Sequence, residues 1–299
     1  LLTSQASPGS FPGLAMSPPL DTRADIDGIP RELDAISRRL VAARAAAEAL
    51  PDFPGALPDS LDGAYAIQAA SIARWADTVA GWKIGMIPAD HRLRVGDERL
   101  AGPIFKSSIV RTEPGATRTM PIYAGGFAAV EAEFVLELDR AVQPTEREYS
   151  DADLIDLVSS LFVGVEIASS PMAAINQLGP TCVISDFGNN AGLLLGPAVA
   201  NWNSRDLDSM TAKVMIDGAV VGDAAASAIP GGPLAALRFL LGLAATRGIE
   251  LPEGTLISTG AVTGIHRVSV SSAARIDFGS AGWFDVKFMS KRQSGNMPI

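Results

Sequence analysis

The chain carries one cysteine in 299 residues, so no internal disulfide can form and a reducing compartment suits it. It has two histidines, His91 and His266, too far apart for the nitrogen-rich spacing of a zinc site. No apolar run approaches the roughly 18 residues that cross a bilayer. No basic region followed by an apolar stretch opens the chain, so a secretory signal is not read there and the cytoplasm is the expected location. The first residue is leucine, and Met16 is a plausible natural start. Neither GxGxxG nor GxxxxGK[ST] occurs, so nothing points to a dinucleotide or a P-loop nucleotide. Charged residues make up only 19%, and the formal net charge is -9. That sign repels phosphate backbones and argues against nucleic acid.

What remains is a chain that is 47% hydrophobic, enough to bury a sizeable core. Residues 1–30 are rich in Pro, Ser and Gly and read as a loose arm. Leu33, Ile36, Leu40 and Val41 recur at helical spacing, predicting a helix over 31–50 that Pro51 ends. A second helix is predicted from Ser60, as N-cap, to Trp75. Short strand-like runs follow at 81–86, 104–110, 131–138, 162–168, 181–186 and 191–195. Runs 213–216 and 219–222 flank Asp217-Gly218, a hairpin signal. Helices are expected after Ser150, with Asp153 completing a capping box, and over 233–247. Strands return at 255–259, 267–270, 275–278 and 283–288. Helices first and many strands after predict an α+β fold, with a helical N-terminal region at 31–80, a β-rich catalytic domain at 81–290 and a tail at 291–299. Cys182, within an apolar run, reads as core packing.

Three sets of charges stand inside apolar strands. Lys83 lies in Gly81-Trp82-Lys83-Ile84-Gly85, Glu131 and Glu133 open a strand, and Glu166 lies in Val165-Glu166-Ile167. Desolvating an ion costs several kcal/mol, so such charges want partners. Alternate strand residues share a face, so Glu131 and Glu133 project together and repel unless a cation lies between them. If Glu166 and Lys83 join them, three negatives face one positive, and one divalent ion would make up the difference. All-oxygen ligands favour magnesium, then manganese or calcium. A solvated edge for the Glu pair, and simple ion pairs for Glu166 and Lys83, remain the alternatives.

Taken in order, several segments resemble the fumarylacetoacetate hydrolase superfamily, in its 2-oxopent-4-enoate hydratase and 4-oxalocrotonate decarboxylase branch. They are Leu61-Asp62-Gly63-Ala64-Tyr65, Gly81-Trp82-Lys83-Ile84-Gly85, Glu131-Ala132-Glu133, Val165-Glu166-Ile167-Ala168, Ser185-Asp186-Phe187-Gly188-Asn189-Asn190, Gly232-Pro233-Leu234 and Ser258-Thr259-Gly260. The resemblance implies a mixed β-roll and a metal held by Glu131, Glu133 and Glu166. It implies Lys83 as the catalytic lysine and Thr259-Gly260 lining the pocket. Asn190 becomes a candidate substrate contact. The implied protein is a metal-dependent lyase on a small 2-oxo acid or its dienol in aromatic catabolism. It would be homo-oligomeric and able to assemble with a related lyase.

Hydration of a 2-hydroxydienoate is the leading expectation. Decarboxylation of a 2-oxo dioate, hydrolysis of an acylpyruvate, and a non-catalytic metal-holding partner subunit are the other readings. The family's hydratases carry an Asp-aromatic-Gly element after the lysine, and Leu100 falls where that Asp is expected. Asp97 or Glu98 would have to stand in for it. Arg92, Arg94 and Arg99 are candidates to meet a second carboxylate. His91, expected on a loop, and His266 offer weak support for hydrolysis.

Overall fold

A computed structural model describes residues 29–294. Nearly all of the expected arm over 1–30, with Met16, and residues 295–299 of the expected tail lie outside the described residues.

Two helices lead, α1 (Arg31–Ala46) and α2 (Leu61–Arg74). Helix α1 buries Ile36, Leu40 and Ala43, whose spacing places them on one face. It ends at Ala46 rather than Leu50 because Ala47 takes the left-handed conformation of a C-terminal cap. Ser60 caps α2 as predicted, its hydroxyl accepting from the Gly63 N–H at 3.2 Å.

The chain then runs through β1 (Val79–Met86), α3 (Ala89–Val95), β2 (Arg99–Phe105), β3 (Ile109–Arg111), β4 (Thr117–Ile122) and β5 (Phe127–Leu138). Next come α4 (Asp151–Asp156), β6 (Val158–Ser170), α5 (Pro180–Ser185), β7 (Asn190–Ala198), β8 (Thr211–Ile216) and β9 (Ala219–Ala225). Last are α6 (Gly232–Arg247), β10 (Leu256–Ser258), β11 (His266–Arg267), β12 (Ala273–Asp277), β13 (Trp283–Ser290) and α7 (Lys291–Ser294). The capping box on α4 and the Asp217-Gly218 hairpin between β8 and β9 are both present, the two turn residues having positive φ.

Both sheets are mixed. The larger has the order β2-β1-β10-β5-β6-β7-β3, with β11 added to β5, and the smaller β4-β13-β12-β8-β9. The main core lies between them, under α6. Phe134 of the larger sheet meets Phe278 edge-to-face at 5.9 Å, and Phe278 meets Phe284 of the smaller in a tilted contact at 5.8 Å. Alternation along β5 sends Ala132, Phe134 and Leu136 into this core and turns Glu131 and Glu133 to the opposite face. Strand β6 does the same, with Val163, Val165 and Ile167 inward and Glu166 opposed.

Three predicted segments take other forms. The apolar run 181–186, expected as a strand, is α5: Pro180 opens the helix and Cys182 is buried against α1 and β5 side chains. Burial pushes the Cys182 thiol well above its usual range, which fits inert packing. The run 104–110 is split by a 3-10 turn at Lys106–Ser108. His91 lies on α3, a seven-residue helix that buries none of its residues and so shows no apolar periodicity to detect.

Candidate metal centre

The charged residues singled out in the strands converge. Strands β5 and β6 pair antiparallel with Glu131 directly opposite Glu166, and Glu133 stands two residues along on the same face. One carboxylate oxygen from each of the three lies within 4.8 Å of the others. All three are buried, Glu133 and Glu166 completely.

Lys83 arrives from β1, two strands away across β10. Its Nζ lies 3.2 Å from Glu166 Oε2. Burial opposes its charge, but Glu166, Glu131 and Glu133 together outweigh that and hold the ammonium above its ordinary pKa. Burial pushes the Glu131 carboxyl up to about 7, an effect that Lys83 resists and Glu166 reinforces. Burial raises Glu133 well above the usual carboxylate range, with Glu166 and Glu131 adding to it.

Neighbouring groups fix the orientation of two carboxylates. Glu133 Oε2 accepts from the Ser258 hydroxyl and from the Gly260 N–H at 3.1 Å. Glu166 Oε1 accepts from Asn190 Nδ2 at 3.0 Å. The remaining oxygens turn inward, and Glu133 Oε1 is buried with no hydrogen-bond partner. An orphaned carboxylate oxygen is costly in a native interior. One ammonium leaves two of three negative charges unbalanced. The donor set therefore fits a hard divalent cation, with Glu131, Glu133 and Glu166 as the residues able to hold it.

Lys83 and Glu131 line a cavity of about 340 Å3. Its walls include Met86, Pro88, Leu100, Pro180, Val183 and Ala261. A larger groove of about 530 Å3 lies between α2 and α6, but the carboxylate trio found among the described residues adjoins the smaller space through Glu131. The turn Phe187–Asn189 closes the cavity beside Lys83. There a Cβ on Gly188 would sit 2.7 Å from Gly102 Cα, and one on Gly102 2.3 Å from the Phe187 carbonyl oxygen, so both glycines are needed for the contact.

Other candidate residues sit differently. Thr259 directs both its hydroxyl and its N–H to the Phe134 carbonyl, at 2.8 and 3.1 Å, and is wholly buried. Gly260 and Asn190 hold glutamates. Asn189, next to Asn190, lines the cavity instead. Leu100 is buried in the wall opposite Gly85 of β1. Asp97 accepts from the Glu98 and Arg99 N–H groups, and neither acid lines the cavity. His91 meets Arg94 at 3.1 Å and His266 meets Thr263 at 3.0 Å, and neither histidine lines the cavity.

Sequence reasoning missed Ser258, whose register opposite Lys83 is a long-range property. It also missed a buried pair. Arg44 of α1 binds the Asp186 carboxylate, Nη2 to Oδ2 at 3.0 Å, and the Asn190 carbonyl at 2.8 Å. Asp186 ends an apolar run, the same signal that marked Glu166, so it was detectable.

Solved structures with this arrangement of strands exist. The 4-oxalocrotonate decarboxylase of Pseudomonas putida G7, complexed with calcium and acetate, matches at TM-score 0.71 and 20% identity, covering 87% of this chain and 98% of that one. The same enzyme complexed with magnesium and adipate matches equally. The fold is fumarylacetoacetate hydrolase-like. That is the fold the sequence resemblance implied. A curated 4-oxalocrotonate decarboxylase of Pseudomonas putida is 28% identical over 107 residues, which is 36% of this chain and 40% of the relative's length. No family model matches the chain.

Proposed function

We propose that the chain is a divalent-metal-dependent lyase that decarboxylates a small 2-oxo dioate of the 4-oxalocrotonate type. The single observation carrying this is three buried glutamates meeting Lys83 beside a cavity whose lining has Leu100 where a hydratase pattern has an acid. Two solved structures that share the fold, both of one 4-oxalocrotonate decarboxylase, hold calcium or magnesium.

A magnesium ion on Glu131, Glu133 and Glu166 would supply Lewis acidity toward the carboxylate and keto oxygen of a 2-oxo acid. The protein groups do the rest. The Lys83 ammonium, held in place by Glu166, opposes negative charge that grows on the keto oxygen. The bond to the departing carboxylate breaks, its electron pair passes into the conjugated 2-oxo system as a dienolate, and carbon dioxide leaves. The dienolate then takes up a proton from water. Leu100, Met86, Pro180 and Val183 keep the reacting end apolar.

The hydration expected first from the sequence needs a group to handle the proton of the added water. Beyond Glu131, no carboxylate lines the cavity among the described residues, which supports decarboxylation over hydration. Among the described residues no histidine lines the cavity, so hydrolysis is supported less.

The test is the purified chain with Mg2+ and 4-oxalocrotonate, following carbon dioxide release. The expected result is turnover that excess chelator stops. Lys83→Ala should retain metal binding and lose at least about 100-fold in kcat, the usual cost of removing one oxyanion partner. Turnover that survives chelation would end the metal reading. A 4-hydroxy-2-oxo acid formed from a 2-hydroxydienoate, with no carbon dioxide from the dioate, would replace the decarboxylase with a hydratase.

A further inference from the structure

The turn that leads into Asn190 has an unfavourable backbone conformation. Phe187, Gly188 and Asn189 have φ of 54°, 65° and 65° in succession. Glycine and asparagine visit that left-handed region readily, whereas a buried phenylalanine rarely does. Such a conformation persists only where its surroundings over-determine it. Arg44 of α1 supplies that restraint, for its buried guanidinium meets both ends of the turn. Nη2 donates to the Asp186 carbonyl at 2.9 Å, just before the turn, and Nη1 to the Asn190 carbonyl at 2.8 Å, just after it. The Asp186 carboxylate accepts from Nε and Nη2 together, a two-point contact that fixes the plane of the guanidinium. The same group lies 5.1 Å from the centre of the Phe187 ring, against which Phe105 and Trp75 pack edge-on.

What the turn delivers belongs to the site. Asn190 Nδ2 donates to Glu166 Oε1 at 3.0 Å. Gly188 lies against the Lys83 stem, where an added Cβ would come 3.2 Å from Cδ, and Asn189 lines the cavity. Arg44 itself does not line the cavity, and its hydrogen bonds go to no glutamate, so any influence on the site runs through the turn. We propose that Arg44 is a positioning residue of the metal centre: by spanning the left-handed turn it sets Asn190, and through Asn190 the Glu166 carboxylate, in the orientation that receives the ion. The proposal rests on the metal reading above and not on which 2-oxo acid is turned over.

The test is calorimetric titration of the full chain with Mg2+, alongside urea denaturation of the metal-free variants. Asn190→Ala should weaken Mg2+ binding by at least about tenfold, the low end for groups that orient a ligand. Arg44→Lys keeps a cation beside Asp186 but loses the planar fork that reaches both carbonyls, and should weaken binding by a similar factor. The two changes together should weaken it no more than Asn190→Ala alone, because they break one chain of contacts. If Arg44→Lys does not fold, Arg44→Met with Asp186→Leu replaces the ion pair by apolar groups. That variant should keep most of the stability and lose the same factor in Mg2+ affinity. A purely structural role would lower stability and leave affinity unchanged, and that result in the Arg44 variants overturns the proposal. So does unchanged affinity in Asn190→Ala, or losses that add in the combined variant. If the unaltered chain binds no divalent ion, the metal reading itself falls and takes the proposal with it.

Discussion

Glu133 is the residue whose surroundings demand most from a cation. It is wholly buried, two donors hold one of its oxygens, and the other has none. Burial and its two acidic neighbours favour the protonated form when no cation is present. A neutral amide of the same shape should therefore be tolerated by the fold. Glu133→Gln is expected to leave the thermal stability of the metal-free chain nearly unchanged and to weaken Mg2+ binding by at least about 100-fold, because even groups that only support a ligand cost 10–100-fold. Titration calorimetry reads the affinity, and unaltered Mg2+ binding would show that Glu133 is no ligand.

At the scale of elements, α1 is fastened to the strands that carry the glutamates. Arg44 reaches from it to the Asp186 carboxylate and to the carbonyls of Asn190 and Ser169, while the Ser170 hydroxyl also serves Asp186 at 2.6 Å. Removing the arginine alone leaves a buried anion unpaired, which costs about 3–5 kcal/mol. Arg44→Met should show that loss in urea denaturation, and Arg44→Met with Asp186→Leu should recover most of it. An equal loss in the double variant would mean that packing, not charge, holds the helix.

Much of this layer could be read from the chain. Period-two alternation placed Glu131, Glu133 and Glu166 on strands, and Ser60 and Ser150 marked helix starts, because those signals are local. The strand expected at 181–186 was wrong because a short apolar run has no period of its own and its partners, α1 and β5, lie far off in sequence. Thr259 and Asn190 were read as substrate contacts. Their donors instead meet the Phe134 carbonyl and Glu166, pairings fixed only when β10 and β7 take their places in the sheet.

For the whole molecule, the buried acids couple stability to pH. The folded-state pKa values of Glu131, pushed up to about 7, and of Glu133, higher than the usual carboxylate range, both exceed those of an unfolded chain. Such groups stabilise the metal-free fold fully below the unfolded value and lose that contribution as pH rises through the folded value. The melting temperature of the metal-free chain should fall between pH 5 and about 8. A divalent ion needs the deprotonated carboxylates, so its stabilising effect should grow over the same range. Scanning fluorimetry with and without Mg2+ gives both slopes, and a Mg2+ effect that shrinks toward pH 8 would contradict the assignment of these acids as ligands.

Ser258, Gly260 and Asn190 also bear on how an ion enters. Because they fix the Glu133 and Glu166 carboxylates through their other oxygens beforehand, filling the cage asks for no refolding of the walls, and the slow event is the incoming ion's own release of water. Magnesium parts with its hydration reluctantly, whereas calcium is less exacting. The same rigid cage would thus load faster with the larger ion, making the pace of activation a property of the visitor rather than of the host.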